Sequence, residues 1–342
     1  MIDTCKFYAP LTNRVRRALS IARDAEHPNV KIYGNYFFLK HPHGLKNIKV
    51  YFSLDRGEFW LETSLPKTLQ GHNVFGSNNL EMLCLAVIKL VYTQLGVKFT
   101  KDEEREIREA GIRLGRLDIT CSFWLESTEM VAQVLEYLYE QFRAEGKAWS
   151  AYGTADVETV YNQLRSTRVT DKYYNKGQEL AVKGHSIPAT VPQRQRILEI
   201  VRHLLRYEVT YRGKELASLG LDFADCWDRS LVISTLTARI KKFNLQGVIR
   251  PILGTDELHG LNDSCHTFYR LWAAGANLAQ HRKYRTLDRA RNTLLQDHQV
   301  DIYRRAKTGC PVPLKGILDP ARAYFAAPKP LIRSGAIFTN RL

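Results

Sequence analysis

The stretch RLDITCSFWL (116–125) decides the fold, because it alternates polar and apolar residues in the manner of a β-strand. Side chains at alternate positions of a strand point to opposite faces of its sheet. One face then carries the apolar residues Leu117, Ile119, Cys121 and Phe123. The opposite face carries Arg116, Asp118, Thr120 and Ser122. The pattern predicts a strand with one face in a core and a carboxylate on the other.

A second stretch, RYEVTY (206–211), repeats this alternation. Arg206 and Glu208 share its polar face, while the aromatic and β-branched residues between them face a core. Two carboxylates brought together, Asp118 and Glu208, would suit Mg²⁺ or Mn²⁺, which prefer hard oxygen ligands. The same pattern is also typical of ordinary amphipathic strands with salt-bridged surfaces.

A third strand is predicted within DKYYNKGQEL (171–180), at residues 171–178. Alternation places Lys172, Tyr174 and Lys176 on one face and Tyr173 on the other. A free tyrosine has a pKa of about 10 and is a poor nucleophile at neutral pH. Neighbouring ammonium groups or a metal favour the phenolate, so this composition suits attack by Tyr174 on a phosphate. A half-buried tyrosine of the sheet is the competing interpretation.

A glycine-containing segment, KTLQGHNVFGSNN (67–79), precedes a predicted helix. His72 within it is a candidate metal ligand, although a lone histidine in a loop is more often a structural hydrogen-bonding residue.

Strands and helices surround these three stretches without strict alternation. Further strands are predicted at 30–40, 47–54, 58–65 and 156–163, and helices at 79–96, 101–112, 128–143 and 191–205. This order predicts an α+β domain over residues 1–255, with a largely antiparallel sheet and flanking helices.

The remaining residues, 256–342, have a different character. Residues 281–342 hold 13 Lys and Arg against 4 Asp and Glu. Two helices are predicted, at 266–278 and 283–298, and Arg282, Arg285 and Arg289 share one face of the second. We expect a helix-turn-helix-like DNA-binding region, with a helical hairpin bearing a solvated basic face as the alternative.

Composition narrows the class of protein. The 342 residues include 50 Lys and Arg and 35 Asp and Glu, a net charge of +15 that favours a polyanionic partner. The six cysteines form no Cys-x-x-Cys pair, which argues against a zinc finger or a disulfide framework. The sequence shows neither an apolar run of spanning length nor a secretory signal, so we expect a cytoplasmic protein without membrane contact.

In this order, GHNVFG (71–76), RLDIT (116–120), KYYNKGQEL (172–180) and RYEVTY (206–211) resemble the gene II/X-type replication initiators of filamentous phages (inoviruses). The C-terminal stretch HTFYRLWAAGANL (266–278), with the arginine-rich helix after it, is similar to that family's second conserved region.

The resemblance implies a rolling-circle initiator in the bacterial host cytoplasm. Such an enzyme binds the supercoiled double-stranded origin, nicks the plus strand, holds its 5′ phosphate on a tyrosine and later rejoins the displaced strand. Single-stranded DNA, a host helicase and polymerase, and an oligomer on DNA are the partners it implies.

Residue by residue, the resemblance gives roles to the stretches quoted above. Tyr174 matches the nucleophile, and Lys176 and Glu179 complete its Tyr-x-Lys-x-x-Glu pattern. Asp118, Glu208 and His72 match the ligands of Mg²⁺ or Mn²⁺.

Three neighbouring residues remain secondary candidates for the site. Tyr173 adjoins the nucleophile, and Arg116 and Arg206 share the polar faces of the carboxylate strands.

Two other functions remain open from the residues alone. One is a sequence-specific DNA-binding regulator without nicking activity, which the basic C-terminal region favours. The other is a metal-dependent nuclease that activates water at Asp118 and Glu208 and never becomes attached to DNA.

Overall fold

A computed structural model describes most of the chain. The described residues are 1–24, 30–144, 149–152, 158–182, 186–243, 248–249, 253, 258–273, 276, 278, 284–298, 300–303, 312–313, 317–319 and 327–338. Arg282, one of the predicted DNA contacts, lies outside them.

A ten-stranded antiparallel sheet forms the centre of the molecule, in the order β2-β3-β4-β5-β1-β6-β10-β9-β8-β7. Its strands are β1 (Ile2–Pro10), β2 (Val30–Tyr33), β3 (Tyr36–Leu39), β4 (Ile48–Ser53), β5 (Glu58–Ser64), β6 (Arg113–Trp124), β7 (Trp149–Tyr152), β8 (Thr159–Asn162), β9 (Val169–Asn175) and β10 (Leu204–Arg212). Two further short strands, β11 (Val248–Ile249) and β12 (Val312–Pro313), pair with each other.

The helices flank this sheet. They are α1 (Asn13–Asp24), α2 (Leu65–Gln70), α3 (Leu80–Gln94), α4 (Lys101–Ala110), α5 (Thr128–Ala144), α6 (Lys176–Ala181), α7 (Arg194–Val201), α8 (Gly213–Ser218), α9 (Arg229–Lys241), α10 (Asp263–Ala273), α11 (Arg285–His298) and α12 (Lys329–Arg333). The predicted α+β class, with a largely antiparallel sheet and flanking helices, is confirmed.

Three predictions are wrong in their bounds for local reasons. The strand predicted at 30–40 is two paired strands, β2 and β3, because the chain turns at Gly34 (φ +59°). The strand predicted at 171–178 ends at Asn175, whose side chain accepts a hydrogen bond from the Gln178 amide (3.1 Å) and caps α6. The helix predicted at 191–205 ends at Val201, because the chain turns and enters β10 at Leu204.

The two faces of the sheet pack against different partners. The larger core lies on the face of Leu117 and Ile119 and buries apolar residues of α3, α5 and α9. A smaller core on the other face joins Val74 and Phe75 to apolar residues of α7 and of the segment 327–338. This second core covers one end of the polar face that the sequence predicted.

The C-terminal helices α10 and α11 pack together around a third small core. Leu287, Ala290 and Leu294 are buried in it, whereas Arg285 and Arg289 are exposed, as the helical spacing predicted. The role of this pair in DNA binding and the division at residues 255/256 stay predictions. Among the described helices, none is long and apolar enough to cross a membrane.

Candidate active site

Three adjacent strands of the sheet, β6, β10 and β9, carry the predicted site residues. In their antiparallel register Ser122 pairs with Arg206, which pairs with Tyr174. Two residues further along β10, Glu208 pairs with Thr120 on β6 and with Lys172 on β9. The alternation read from the sequence therefore aligns the predicted nucleophile and carboxylates on one face.

This polar face is largely buried. Asp118, Thr120 and Ser122 expose 2%, 1% and 7% of their surface, and Arg206 exposes none. An ordinary amphipathic sheet would leave these side chains in solvent. This face is instead buried, although it does carry the ion pairs of Arg116 with Asp118 and of Lys172 with Glu208. Polar groups held out of water need specific partners, and each of these positions is therefore constrained.

Asp118 and Glu208 form the acidic part of the site. Arg116 donates two hydrogen bonds to the Asp118 carboxylate, from Nε (3.0 Å) and Nη2 (2.7 Å), and a third to Glu62 (2.7 Å). Burial, followed by the negative charge of Glu208, nevertheless raises the pKa of Asp118 to about 7. The structure thus brings the two predicted carboxylates into electrostatic contact and gives Arg116 the role of partner to Asp118.

Tyr174 lies against Glu208. Its hydroxyl donates to Glu208 Oε2 (3.3 Å), and the ammonium of Lys172 lies 4.0 Å from the centre of its ring and 3.7 Å from Glu208 Oε1. Burial and the charge of Glu208 raise the pKa of Tyr174 well above 10. The expectation that the surrounding ammonium groups favour the phenolate is wrong, because burial and the carboxylate outweigh them, while activation by a metal stays a prediction. Glu208, which accepts the hydrogen bond of this hydroxyl, is placed to accept its proton.

Tyr173 is removed as a candidate nucleophile. It points into the larger core, with no exposed surface, and stacks on Tyr207 with ring centroids 4.6 Å apart. Its hydroxyl has no hydrogen-bond partner among the described residues. A substrate phosphate approaching the polar face could not reach it.

Lys176 belongs to α6 rather than to the strand, so the prediction that it shares a strand face with Tyr174 is wrong. Its buried ammonium donates to Asn73 Oδ1 (2.8 Å) and Glu179 Oε2 (2.6 Å) and lies 5.8 Å from the centre of the Tyr174 ring. Burial, followed by the positive charge of Arg206, lowers the pKa of Lys176 to about 7. Lys67 also pairs with Glu179 (3.7 Å).

The segment GHNVFG (71–76) is held against the sheet by Arg206. The guanidinium donates to the carbonyl oxygens of Asn73 (2.6 Å) and Val74 (2.9 Å) and to Ser122 Oγ (3.1 Å). Gly71 has φ +81°, a backbone conformation that favours glycine. A Cβ at this position would also lie 2.6 Å from the Val191 side chain, so any other residue would clash there. Arg206 therefore positions the loop, and it also lines a cavity of about 550 Å³ beside it.

His72 makes structural contacts. It has no exposed surface, and Nε2 donates to the carbonyl oxygen of Ala336 (2.8 Å). Nδ1 accepts from the Val74 amide (3.3 Å), and burial lowers the pKa of His72 to about 4. Both ring nitrogens are thus engaged, and this histidine does not fit a metal ion without rearrangement.

The carboxylate pair fits a divalent cation by its chemistry. Burial, followed by the negative charge of Glu208, raises the pKa of Asp118, and the positive charge of Mg²⁺ or Mn²⁺ would favour its ionised form. Within the described ranges, no three His, Cys, Asp or Glu side chains are close enough to hold a metal. Water or substrate oxygens would complete such a site, and the ligand set stays a prediction.

Two site residues were missed by the sequence reasoning. Asn73 donates to Asp3 Oδ2 (2.7 Å) while accepting from Lys176, and Asp3 also accepts from Ser64 Oγ (2.5 Å). Both residues are buried, and their hydrogen bonds link β1, the 71–76 segment and α6. Their proximity to Lys176 depends on strand order, which no local pattern encodes.

Comparison with known proteins places the chain among replication proteins. Residues 1–230 match the family described as the N-terminal region of the phage replication-associated protein encoded by gene II. The replication-associated gene II protein of Enterobacteria phage I2-2 is 25% identical over 240 residues, which cover 69% of this chain and 67% of that protein. A solved rolling circle replication initiator protein from Geobacillus stearothermophilus is 12% identical, with a TM-score of 0.31, covering 69% of this chain and 77% of that one.

The resemblance read from the four ordered motifs is confirmed by the family match. That match covers more than half of the chain and includes Tyr174, Asp118 and Glu208. The chain therefore belongs to the gene II-type family of replication initiators.

Proposed function

We propose that this protein starts rolling-circle replication by nicking the plus strand of a phage origin and attaching itself to the 5′ phosphate through Tyr174. The observation that carries the proposal is the contact between the Tyr174 hydroxyl and Glu208, on a polar face shared with Asp118. A buried phenol beside a carboxylate has both a nucleophilic oxygen and an acceptor for its proton.

In the proposed reaction the Tyr174 oxygen bonds to phosphorus as the bond from phosphorus to the 3′ oxygen breaks. The phenolic proton passes to Glu208, and the departing 3′ oxygen takes a proton from solvent to become a free hydroxyl. The reverse attack by a 3′ hydroxyl on the phosphotyrosine rejoins the strand and returns the phenol.

Lys176 and the carboxylates have separate roles in this proposal. The Lys176 ammonium, held by Asn73 and Glu179, offsets negative charge that grows on the phosphoryl oxygens. Mg²⁺ or Mn²⁺ bound at Asp118 and Glu208 would polarise the phosphate. The basic face of α11 would hold double-stranded DNA through Arg285 and Arg289, and host helicase and polymerase would act on the nicked origin.

The deciding experiment compares adjacent tyrosines. Purified protein is incubated with supercoiled origin DNA and Mg²⁺ or Mn²⁺, then denatured, and DNA-linked peptides are mapped by mass spectrometry. We expect an adduct on Tyr174 and its complete loss, together with nicking, in Tyr174→Phe. Origin binding should stay within about threefold, because the substitution removes a hydroxyl and no charge.

Tyr173→Phe is the matched control. Its hydroxyl is buried without a partner among the described residues, so removing it should leave nicking unchanged and stability equal or slightly higher. Nicking that survives in Tyr174→Phe without an adduct would replace the proposal with a nuclease that uses water. Origin binding with no nicking in the wild-type protein would favour the DNA-binding regulator.

A further inference from the structure

Trp124 continues the polar face of β6 beyond the site already described. It follows Asp118, Thr120 and Ser122 at alternate positions, so its side chain leaves the sheet on the same side. It is 53% exposed, an unusual exposure for the largest side chain on a strand whose preceding residues are buried.

The indole of Trp124 lies parallel to the imidazole of His203. The ring centroids are 5.1 Å apart and the planes differ by only 10°. The two rings line an open cavity of about 450 Å³, together with Arg196, Ile200 and Pro328. Glu199 also contributes to its wall. An aromatic pair at the mouth of a cavity, with a guanidinium beside it, is suited to a flat, anionic ligand.

The distance from this pair to the nucleophile is short. Ser122, two residues before Trp124, stands in register with Arg206 and Tyr174. Trp124 is thus displaced from Tyr174 by two residues along the strand direction and by two strands across the sheet. These displacements correspond to roughly 12 Å between the backbones of the two residues. A DNA strand leaving Tyr174 along this face would therefore reach the aromatic pair within a few nucleotides.

We propose that Trp124 and His203 form a stacking platform for an unpaired nucleobase of the nicked strand, with Arg196 close to its backbone phosphate. The proposal rests on the proposed function, since it takes single-stranded DNA at Tyr174 as its ligand. Bases inside a duplex are already stacked, so the platform acts only on unpaired DNA. It would hold the strand next to Tyr174 while the duplex beyond is still closed.

The test measures the affinity of the full chain for short fluorescent single-stranded oligonucleotides of the origin by anisotropy. We expect Trp124→Ala to weaken binding by about 5- to 150-fold, the range found for loss of base–aromatic stacking. Trp124→Phe should stay within about threefold of wild type. Affinity for fully paired DNA and the salt dependence of binding should not change, because no phosphate contact is lost.

Tyr33→Ala is the control variant. Tyr33 is also an exposed aromatic residue (67%) at a strand end, but it belongs to the edge strand β2, five strands away from the β6 strand of Trp124. Its removal should leave single-strand affinity unchanged. Equal losses in Tyr33→Ala and Trp124→Ala would mean a general effect of exposed aromatic residues and would overturn the platform.

An abasic scan locates the base. One abasic nucleotide, placed a few positions from the nick, should reproduce the loss caused by Trp124→Ala and add nothing to it in that variant. If the losses from the abasic nucleotide and from Trp124→Ala add fully at every position, the platform is overturned. It is also overturned if the wild-type protein does not bind single-stranded DNA. Because this readout is binding and needs no adduct, failure of the platform and failure of the Tyr174 chemistry are separate results.

Discussion

Asp118 and Glu208 illustrate how strongly single residues depend on burial in this site. Arg116 donates two hydrogen bonds to Asp118, and such a pair in solvent would hold a carboxyl pKa down. Here the pKa of Asp118 instead rises to about 7, since desolvation and the neighbouring Glu208 outweigh the arginine. The same balance keeps Tyr174 protonated.

A pH dependence of metal binding follows from the raised pKa. Below pH 7 Asp118 holds a proton that a divalent cation must displace, so we expect Mn²⁺ affinity to fall by up to tenfold per pH unit from about 7 to about 5.5. Above pH 7 the affinity should level off. Calorimetry in two buffers of different ionisation enthalpy would give the affinity and the proton release.

Glu62→Gln provides the control for this experiment. Glu62 also binds Arg116 but is not part of the carboxylate pair, so the variant should keep the pH dependence. Asp118→Asn should lose Mn²⁺ binding altogether. An Mn²⁺ affinity that is constant between about pH 5.5 and 8 would show that Asp118 is not a ligand.

At the scale of elements, the site depends on how a loop is fastened to a strand. Arg206 of β10 supplies donors to two carbonyl oxygens of the 71–76 segment, and the segment in turn supplies Asn73 to Lys176. The proposed catalytic lysine is thus positioned through an arginine that stands on a different element.

Arg206→Met should therefore destabilise the protein. The substitution keeps the length of the side chain and leaves the carbonyls of Asn73 and Val74 buried without these donors, at a cost of about 2–4 kcal/mol. Urea unfolding at constant pH would measure it. Arg212→Met, on the same strand, loses one partly buried hydrogen bond to Thr170 (2.9 Å) and should cost about 1 kcal/mol. Equal losses of unfolding free energy in the two variants would argue against the role of Arg206 in holding the 71–76 segment.

Local patterns predicted the three strands of the site well and its connections poorly, and they missed β1, which lies between β5 and β6 in the sheet. Alternation in 116–125 and 206–211 was sufficient to place Asp118 and Glu208 on one face, because register follows from the buried side. The end of β9 was predicted three residues too late, because Asn175 caps the helix α6 and the alternation of side chains does not show that a helix begins there. The contacts of His72 with Ala336 and of Asn73 with Asp3 depend on tertiary order, which no single stretch contains.

For the whole molecule, the distribution of charge is the feature that bears on DNA. The chain carries +15 overall, and α11 exposes Arg285 and Arg289 while Arg291 is buried against Asp301 (2.5 and 2.8 Å). Arginines on one helix thus differ in role, and of these three only the exposed pair is available to phosphates.

Reversing the charges of Arg285 and Arg289 should weaken origin binding and reduce the salt dependence of that binding. Arg285→Glu with Arg289→Glu removes two phosphate contacts, so the slope of log affinity against log salt should fall in magnitude by about 2. Filter binding from about 50 to 300 mM NaCl would measure it. Lys46→Glu with Lys101→Glu makes the same charge change at exposed positions outside α10 and α11 and should leave the slope nearly unchanged. An unchanged slope in both variants would assign Arg285 and Arg289 to solvated surface.

The contact between His72 and Ala336 spans 264 residues of chain, and this separation also sets an order in time. Ribosomes add roughly 5–20 residues per second, so the 71–76 segment emerges about 13–50 s before the residues that cover it. During that interval the sheet can form, but the loop that holds Lys176 still lacks its cover. A ribosome-bound chain therefore lacks the second core until residues 327–338 have emerged and packed against Val74 and Phe75.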